Sequence, residues 1–317
     1  MAFDTSGLSA YVEEQNFPLL TKALAGGRTA ELITKQTGVK GETALNLMDV
    51  DAVMAQSGAT CSFDATGNDV TFTQRNINAK HVQINMEFCP KKLEGFYLRS
   101  QLAPGAIQDS MPFEEMFSNY LVEKIQDEIE KIIWQGDDTS GVGNLAMFDG
   151  LLIPTASFTD CNTTAYDSSV LTSLEIGDMV EAIQRVYAIT PSAAAAQPDF
   201  KIFVGLDKFR LLAAALLSGN GLTSGGGQLA SYQSDFDPFR MVYPGTNIEV
   251  IGVNGLTGHN GVYGASLSNL VLGLDLEEDS SNLEVWYSKD NRTIRVACEF
   301  IMGTQVAYPD QVGKVAI

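Results

Sequence analysis

The sequence predicts an α+β fold organised around one long helix. Over residues 112–134, apolar side chains recur at the i, i+3, i+4, i+7 spacing that places them on one helix face. Segments before and after this stretch alternate apolar and polar residues with the period of two that is typical of half-buried strands. A chain of 317 residues exceeds the size at which one core usually stops growing, so we expect two domains.

The central helix is predicted to span Pro112 to Trp134. Asp109 or Ser110 can cap its start, and proline is tolerated in a first helical turn. Gly136 follows the last periodic residues, where we expect a left-handed residue to end the helix. At about 1.5 Å per residue the helix would be roughly 34 Å long, which is the width of a small domain.

The N-terminal residues, 1 to about 40, contain two helix-like fragments, Leu8 to Gln15 and Ala30 to Gln36. Gly26 and Gly27 lie between them and act as helix breakers. Because short helices bury little surface alone, we expect this segment to lie as an arm against another part of the protein.

Residues 41 to about 92 are predicted to form a long, mostly two-stranded excursion. One strand is indicated by the alternating residues Val82, Ile84, Met86 and Phe88, and its partner strand by Val70 and Phe72. An isolated hairpin is marginal in water and needs more strands, a helix or a partner surface. The excursion therefore packs on its own domain or reaches over a neighbouring subunit, and the pattern alone leaves both open.

The segment after the central helix predicts an α/β unit. A short apolar strand is expected at Gly150 to Ile153, and the capping-box pattern from Thr172 to Glu175 precedes a second helix. Phe200 to Val204 is predicted as a buried strand and Lys208 to Leu217 as the helix that follows it. The glycine-rich stretch Ser218 to Gly227 is expected to be a mobile loop.

The end of the chain predicts further strands and a closing hairpin. Ile248 to Val253 and Asn269 to Gly273 are short apolar strands, and an acidic turn covers 275–279. Leu283 to Ser288 and Arg292 to Met302 then alternate on either side of a polar turn. In the second of these strands Ile294, Val296, Cys298 and Phe300 fall on one side.

Composition excludes several classes of function. The formal charge of -19 repels phosphate backbones and argues against binding nucleic acid through a basic face. The four cysteines are far apart and there are only two histidines, so neither a disulfide framework nor a zinc site is predicted. The N-terminus lacks a secretory signal and no stretch is long enough to span a bilayer, so we expect a soluble protein of a reducing cytoplasm with no membrane partner.

The sequence contains one incomplete catalytic motif. Gly264 to Ser268 approaches the GxSxG nucleophile elbow but has Ser268 in place of the last glycine. His81 and His259 are the available bases, so a triad built on Ser266 is poorly supported. We predict no catalytic residue, no cofactor and no metal, which favours a structural or assembly protein.

The order of these parts resembles the major capsid proteins of tailed bacteriophages, which have the Hong Kong 97-type capsid fold. The resemblance covers essentially the whole chain. Two stretches carry it best: Ile132 to Leu152, where the long helix ends in a tryptophan, glycine and acidic cluster before FDGLL, and Asn269 to Pro309, which contains the closing hairpin.

The resemblance implies an architecture and a set of contacts. Residues 1–40 would be the N-terminal arm, 41–92 the extended loop, 93–190 and 283–317 the peripheral domain with the spine helix at 112–134, and 191–282 the axial domain. The extended loop would lie on the next subunit. The candidate residues for that contact are Val70, Phe72, Val82, Ile84 and Met86. For Val82, Ile84 and Met86, packing within the hairpin itself is the alternative.

The function implied by the resemblance is self-assembly into hexamers and pentamers that form an icosahedral shell around packaged double-stranded phage DNA. The location would be the virion capsid, assembled in the host cytoplasm, and scaffold, portal and decoration proteins are candidate partners. Because the sequence begins at Met1, we expect no removed N-terminal prosegment. The alternatives are an encapsulin-like nanocompartment shell and, from a different class, an α/β hydrolase.

Overall fold

The structure is a computed structural model that describes residues 22–24, 26–50, 70–89, 113–153, 178–217, 238–243, 246–275, 282–291 and 293–316. The helices are α1 (Arg28–Leu32), α2 (Phe113–Gln135), α3 (Asp178–Ile189), α4 (Ser192–Ala195) and α5 (Leu206–Leu217). The strands are β1 (Thr34–Thr37), β2 (Glu42–Val50), β3 (Val70–Asn78), β4 (Lys80–Phe88), β5 (Phe200–Gly205), β6 (Arg240–Val242), β7 (Glu249–Val253), β8 (Gly261–Ser266), β9 (Leu270–Asp275), β10 (Asn282–Ser288), β11 (Thr293–Val306) and β12 (Gly313–Ala316).

The first sheet is built around β11. One edge of β11 pairs with β4, and the other edge pairs first with β10 and then with β9, while β1 lies parallel to β9. The predicted closing hairpin is confirmed as β10 and β11. Its predicted inward face is also confirmed, because the side chains at alternate positions of β11 are buried: Ile294, Val296, Cys298 and Phe300.

The long helix α2 lies on this sheet and confirms the predicted element. Its apolar stripe is buried in the first core, which it shares with β4, β9 and β11. The buried members of the stripe are Leu121, Val122, Ile125, Ile129, Ile132, Ile133 and Trp134. At roughly 1.5–3 kcal/mol for each fully buried large apolar side chain, packing of this stripe is what holds the helix.

The prediction that Gly136 ends the helix in a left-handed conformation is wrong. Gly136 is not among the glycines with positive φ, which in the described residues are Gly38, Gly41, Gly143 and Gly258. Glycine is required there for close packing, because a Cβ would overlap the carbonyl oxygen of Phe148. The chain around Phe148 therefore packs directly against the C-terminal end of α2.

The second sheet has the order β12-β8-β5-β7-β6 and separates two cores. Successive side chains of a strand point to opposite faces, so the central strands β5, β7 and β8 contribute to both cores. Phe203, Ile251 and Tyr263 pack in the first core against α2. Ile202 and Val250 pack in the second core, against α3 and α5. The predicted strand and helix at 200–217 are confirmed as β5 and α5.

Two predicted elements are wrong, and the backbone hydrogen bonds of their residues show why. The predicted helix Ala30 to Gln36 stops at Leu32, because the next residues form β1 along β9. The predicted strand Gly150 to Ile153 is not a strand. Its amides instead satisfy the carbonyl groups left unpaired at the end of α2: Gly150 N donates to Gly136 O at 2.8 Å, and Leu151 N donates to Ile133 O at 2.7 Å.

The predicted pairing within the extended loop is also wrong. The strand containing Val70 and Phe72 pairs with β2, and the strand containing Val82 pairs with β11. The reason is that β3 and β4 are nearly continuous and are interrupted only at Ala79, so the chain passes from the ribbon directly into the first sheet. The fragment 8–15, the cap residues 109–112, the capping box 172–175, the loop 218–227 and the acidic residues 277–279 lie outside the described residues.

The turn that follows β7 packs against α2, and Gly255 in this turn gives a test of the packing. A Cβ on Gly255 would overlap the Glu130 carbonyl oxygen and the Trp134 ring. We therefore expect Gly255→Ala to lower the free energy of unfolding by about 2 kcal/mol or more, because overpacking forces backbone shifts. The control is Gly258→Asn in the same loop, where a Cβ meets nothing within 4 Å and asparagine tolerates the positive φ. Urea denaturation of both variants measures the difference, and equal losses would contradict the packing described.

Candidate assembly surface

The two-stranded ribbon of β2 and β3 is largely exposed. The strands pair antiparallel from Glu42 opposite Asn78 at the root to Val50 opposite Val70 at the far end. Its register is reinforced by a side-chain bond from Gln74 Nε2 to Asn46 Oδ1 at 2.8 Å.

The root of the ribbon is fixed to the first sheet. Ile77 is buried in a small third core with Val39, Val271 and Ile301, and Leu45 packs against this cluster. Gln305 Nε2 also donates to the carbonyl oxygen of Asn76 at 2.7 Å. Because an isolated two-stranded ribbon is only marginally stable, this root is what orients the ribbon within its own chain.

The far end of the ribbon presents an apolar face to solvent. Met48 lies directly opposite Phe72 in the register. Both side chains are exposed, at 57% and 76%, and Val70 is 47% exposed. The period of two places all three on one face, whereas Leu47, on the other face, is buried. We call Met48, Val70 and Phe72 the ribbon patch.

An exposed apolar cluster of this kind makes the ribbon patch a candidate surface for contact with another protein. Val70 and Phe72 were identified from the sequence, but Met48 was not. The signal was present, because Leu45 and Leu47 alternate with polar or small neighbours and indicate a strand over β2. Assigning that strand as the partner of β3 would have placed Met48 beside Phe72.

The other predicted contact residues lie away from the ribbon, on β4. Val82 is buried in the first core and Ile84 packs against that core, whereas Met86 is 40% exposed. All three line an apolar groove of about 430 Å³ between β4 and α2, opposite residues such as Tyr120 and Ile125. Val82 and Ile84 are therefore occupied by packing within their own chain.

Where β4 pairs with β11, the outward face of the first sheet is polar rather than apolar. Glu87 on β4 accepts a hydrogen bond from the Thr293 hydroxyl at 2.6 Å, and this bond contributes most to a lowered pKa of the Glu87 carboxyl. Further along the same face, Gln83 Nε2 donates to Glu299 Oε1 at 2.9 Å. This face does not continue the apolar character of the ribbon patch.

The serine of the incomplete nucleophile elbow has no base beside it among the described residues. Ser266 ends β8 and its Oγ is buried without a hydrogen-bond partner, whereas His259 precedes the start of the same strand. The His259 ring contacts the side chain of Tyr263, a position that lies roughly 10 Å from Ser266 along β8 at about 3.3 Å per residue. His259 instead lies 3.4 Å from the Tyr263 hydroxyl, and burial lowers the pKa of its imidazole. His81, the other candidate base, lies opposite Ile301 in the first sheet.

Two properties of the described residues bear on partners and cofactors. Within the described ranges, no group of three or more His, Cys, Asp or Glu side chains could hold a metal ion. In the same part of the chain, no helix has the length and apolar character needed to cross a membrane.

The chain matches no protein-family model and no curated protein sequence. Its structure is similar to a chain of the satellite phage P4 procapsid that includes the size determination (Sid) protein, with a TM-score of 0.64 at 10% identity, covering 100% of this chain and 98% of that chain. It is also similar to a chain from the capsid of the native GTA particle (TM-score 0.55, 11% identity, 93% and 90% covered) and to one from Gordonia phage Cozz (TM-score 0.53, 11% identity, 90% and 84% covered).

These similarities extend over nearly the full length of the chain and of its structural relatives. At such low sequence identity they show a shared fold. The chain therefore shares its fold with chains of a phage procapsid and of the GTA capsid.

Proposed function

We propose that this chain is a major capsid protein whose copies assemble into the icosahedral shell around packaged phage DNA. The observation that carries the proposal is structural similarity over the whole chain to a phage procapsid chain, with 100% and 98% of the two chains covered. The ribbon patch supports the proposal independently, because this exposed apolar surface lies at the far end of a ribbon whose root is fixed to the first sheet.

The proposal includes the Hong Kong 97-type fold and its domains. Residues 1–40 are the N-terminal arm, 41–92 the extended loop, 93–190 and 283–317 the peripheral domain, and 191–282 the axial domain. The ribbon of β2 and β3 is part of the extended loop in this assignment, and α2 is the spine helix.

Self-assembly requires a contact that joins different surfaces of neighbouring copies. Such heterologous contacts close into rings, here hexamers and pentamers, and rings can then form a closed shell. The ribbon patch is one side of that contact. Burying a large apolar side chain contributes about 1.5–3 kcal/mol, and a shell repeats the contact in every copy.

The proposed contents of the shell agree with the charge of the chain. A formal charge of -19 disfavours tight binding of DNA to the wall, so the genome can slide during packaging. A strongly basic inner surface in the assembled particle would contradict this part of the proposal. Scaffold, portal and decoration proteins are the partners such a shell would use.

Sedimentation velocity of the purified 34.2 kDa chain, followed by negative-stain imaging, tests the proposal. We expect rings of five or six copies or closed shells. A chain that stays monomeric at all concentrations, with and without the other capsid genes of its phage, would contradict it. Particles from infected cells that lack nuclease-protected DNA would instead support the encapsulin-like alternative.

A further inference from the structure

A second feature of the molecule is a buried polar cluster where the N-terminal segment meets α2. Glu130 is only 3% exposed although it lies in the C-terminal half of a helix with a solvated face. Its carboxylate accepts hydrogen bonds from the Thr29 backbone N–H, at 3.1 Å to each oxygen, and from the Thr29 hydroxyl. Trp134 Nε1 donates in turn to Thr29 Oγ1 at 2.7 Å.

The residues on either side of Thr29 bind the two sheets. Arg28 Nη1 donates to the carbonyl oxygen of Gly252 on β7 at 2.9 Å, and its guanidinium lies 5.6 Å from the centre of the Phe239 ring. A few residues later, β1 pairs with β9 in the first sheet. Residues 27–37 therefore contact the long helix, the second sheet and the first sheet in succession.

The backbone around the cluster is fitted to this arrangement. A Cβ on Gly27 would lie 2.8 Å from Glu130 Oε2. Beside it, Gln135 Nε2 donates to the Gly255 carbonyl oxygen, and Asn254 Nδ2 donates to Asp127 Oδ1 at 3.3 Å. The last turns of the long helix thus contact both the N-terminal segment and the turn that follows β7 of the second sheet.

The chemistry of the cluster favours a role in positioning the N-terminal segment, and not only in stabilising the fold. A buried carboxyl group is costly unless every partner is in place, and apolar side chains would fill the same space at no such cost. Hydrogen bonds are directional and form only when both partners are correctly placed, so they specify one geometry more strictly than apolar contacts do.

We propose that residues 27–37 form a latch that sets the relative orientation of the two sheets, with Thr29 held by Glu130 and Trp134 as its fixed point. Releasing Thr29 would free Arg28 and β1 to shift together. This inference concerns single chains and does not depend on shell formation.

Two variants of one residue test the latch. Thr29→Val removes the hydroxyl at nearly constant volume, and Thr29→Ser is the matched control that keeps the hydroxyl. We expect amide hydrogen exchange of peptides covering 22–37 to become at least tenfold faster in Thr29→Val and to change less than threefold in Thr29→Ser. Arg28→Met, which breaks the bond to β7, replaces Thr29→Val if that variant does not fold.

A distance measurement separates positioning from local stabilisation. Genetically encoded spin-label residues are placed at the exposed positions Arg210 on α5 and Asp290 in the closing hairpin, and the inter-label distance is measured by pulsed electron resonance. We expect one narrow distribution in the labelled parent and in Thr29→Ser, and a broadened or shifted distribution in Thr29→Val or Arg28→Met. Faster exchange with an unchanged distance distribution would overturn the proposal, as would no change in either measurement.

Discussion

Phe72→Asp is expected to abolish assembly while leaving the folded chain intact. The Phe72 side chain is 76% exposed in the single chain, so its replacement removes little packing there, and we expect the free energy of unfolding to change by less than about 0.5 kcal/mol. In the proposed contact the same position is buried, and an unpaired carboxylate would be desolvated at a cost of several kcal/mol. Size-exclusion chromatography and negative-stain imaging of the purified variant measure the loss of rings and shells.

The matched control is Thr73→Asp. Thr73 is the next residue of β3, is also exposed and lies on the opposite face of the ribbon, so the variant adds the same charge at nearly the same place. We expect Thr73→Asp to assemble. If both variants assemble like the parent chain, the ribbon patch is not the contact surface. If both fail, the effect comes from added charge and not from the apolar face.

Glu130→Gln is expected to remove a pH dependence of stability that the parent chain shows. Burial raises the pKa of the Glu130 carboxyl to about 7, against an ordinary value of 4.5, although the Thr29 donors and the charge of Arg28 act in the opposite direction. The folded state therefore binds a proton more tightly than the unfolded state does. Stability from this group is complete below about pH 4.5 and is lost as the pH rises to about 7, by roughly 3 kcal/mol in total.

Urea denaturation at pH 5 and pH 8.5 measures this loss. The glutamine side chain of the Glu130→Gln variant stays uncharged and keeps an acceptor oxygen for the Thr29 N–H, so the variant should be more stable than the parent chain at pH 8.5. Glu128→Gln is the control on the same helix, because hydrogen bonds from Lys131 and Asn144 lower the pKa of the Glu128 carboxyl. That variant should retain the drop in stability at alkaline pH. If the free energy of unfolding changes by the same amount with pH in Glu130→Gln and in the parent chain, the burial of the Glu130 carboxyl would be contradicted.

The elements that could be predicted from the sequence are those in which periodicity and burial agree over many residues. The long helix was found within one residue at each end because its apolar stripe is continuous from Phe113 to Trp134. The closing hairpin was found because β10 and β11 alternate regularly and are joined by a short polar turn.

The parts that were missed depend on partners distant in sequence. β4 pairs with β11 more than 200 residues later, so local alternation could not show that it leaves the ribbon. Glu130 is a charged residue, and its type alone would place it on the solvated side of the helix. Its partner Thr29 is 101 residues away in the sequence. Gly136 was assigned by a helix-ending rule, whereas its actual constraint is the approach of Phe148.

A high-resolution cryo-electron microscopy reconstruction of assembled particles shows whether the ribbon patch joins the copies. We expect Met48, Val70 and Phe72 to be buried against a neighbouring copy of the chain, while Val82 remains in the core of its own chain. A particle in which the ribbon patch stays exposed to solvent, or packs back on its own chain, would contradict the proposal that this surface joins the copies.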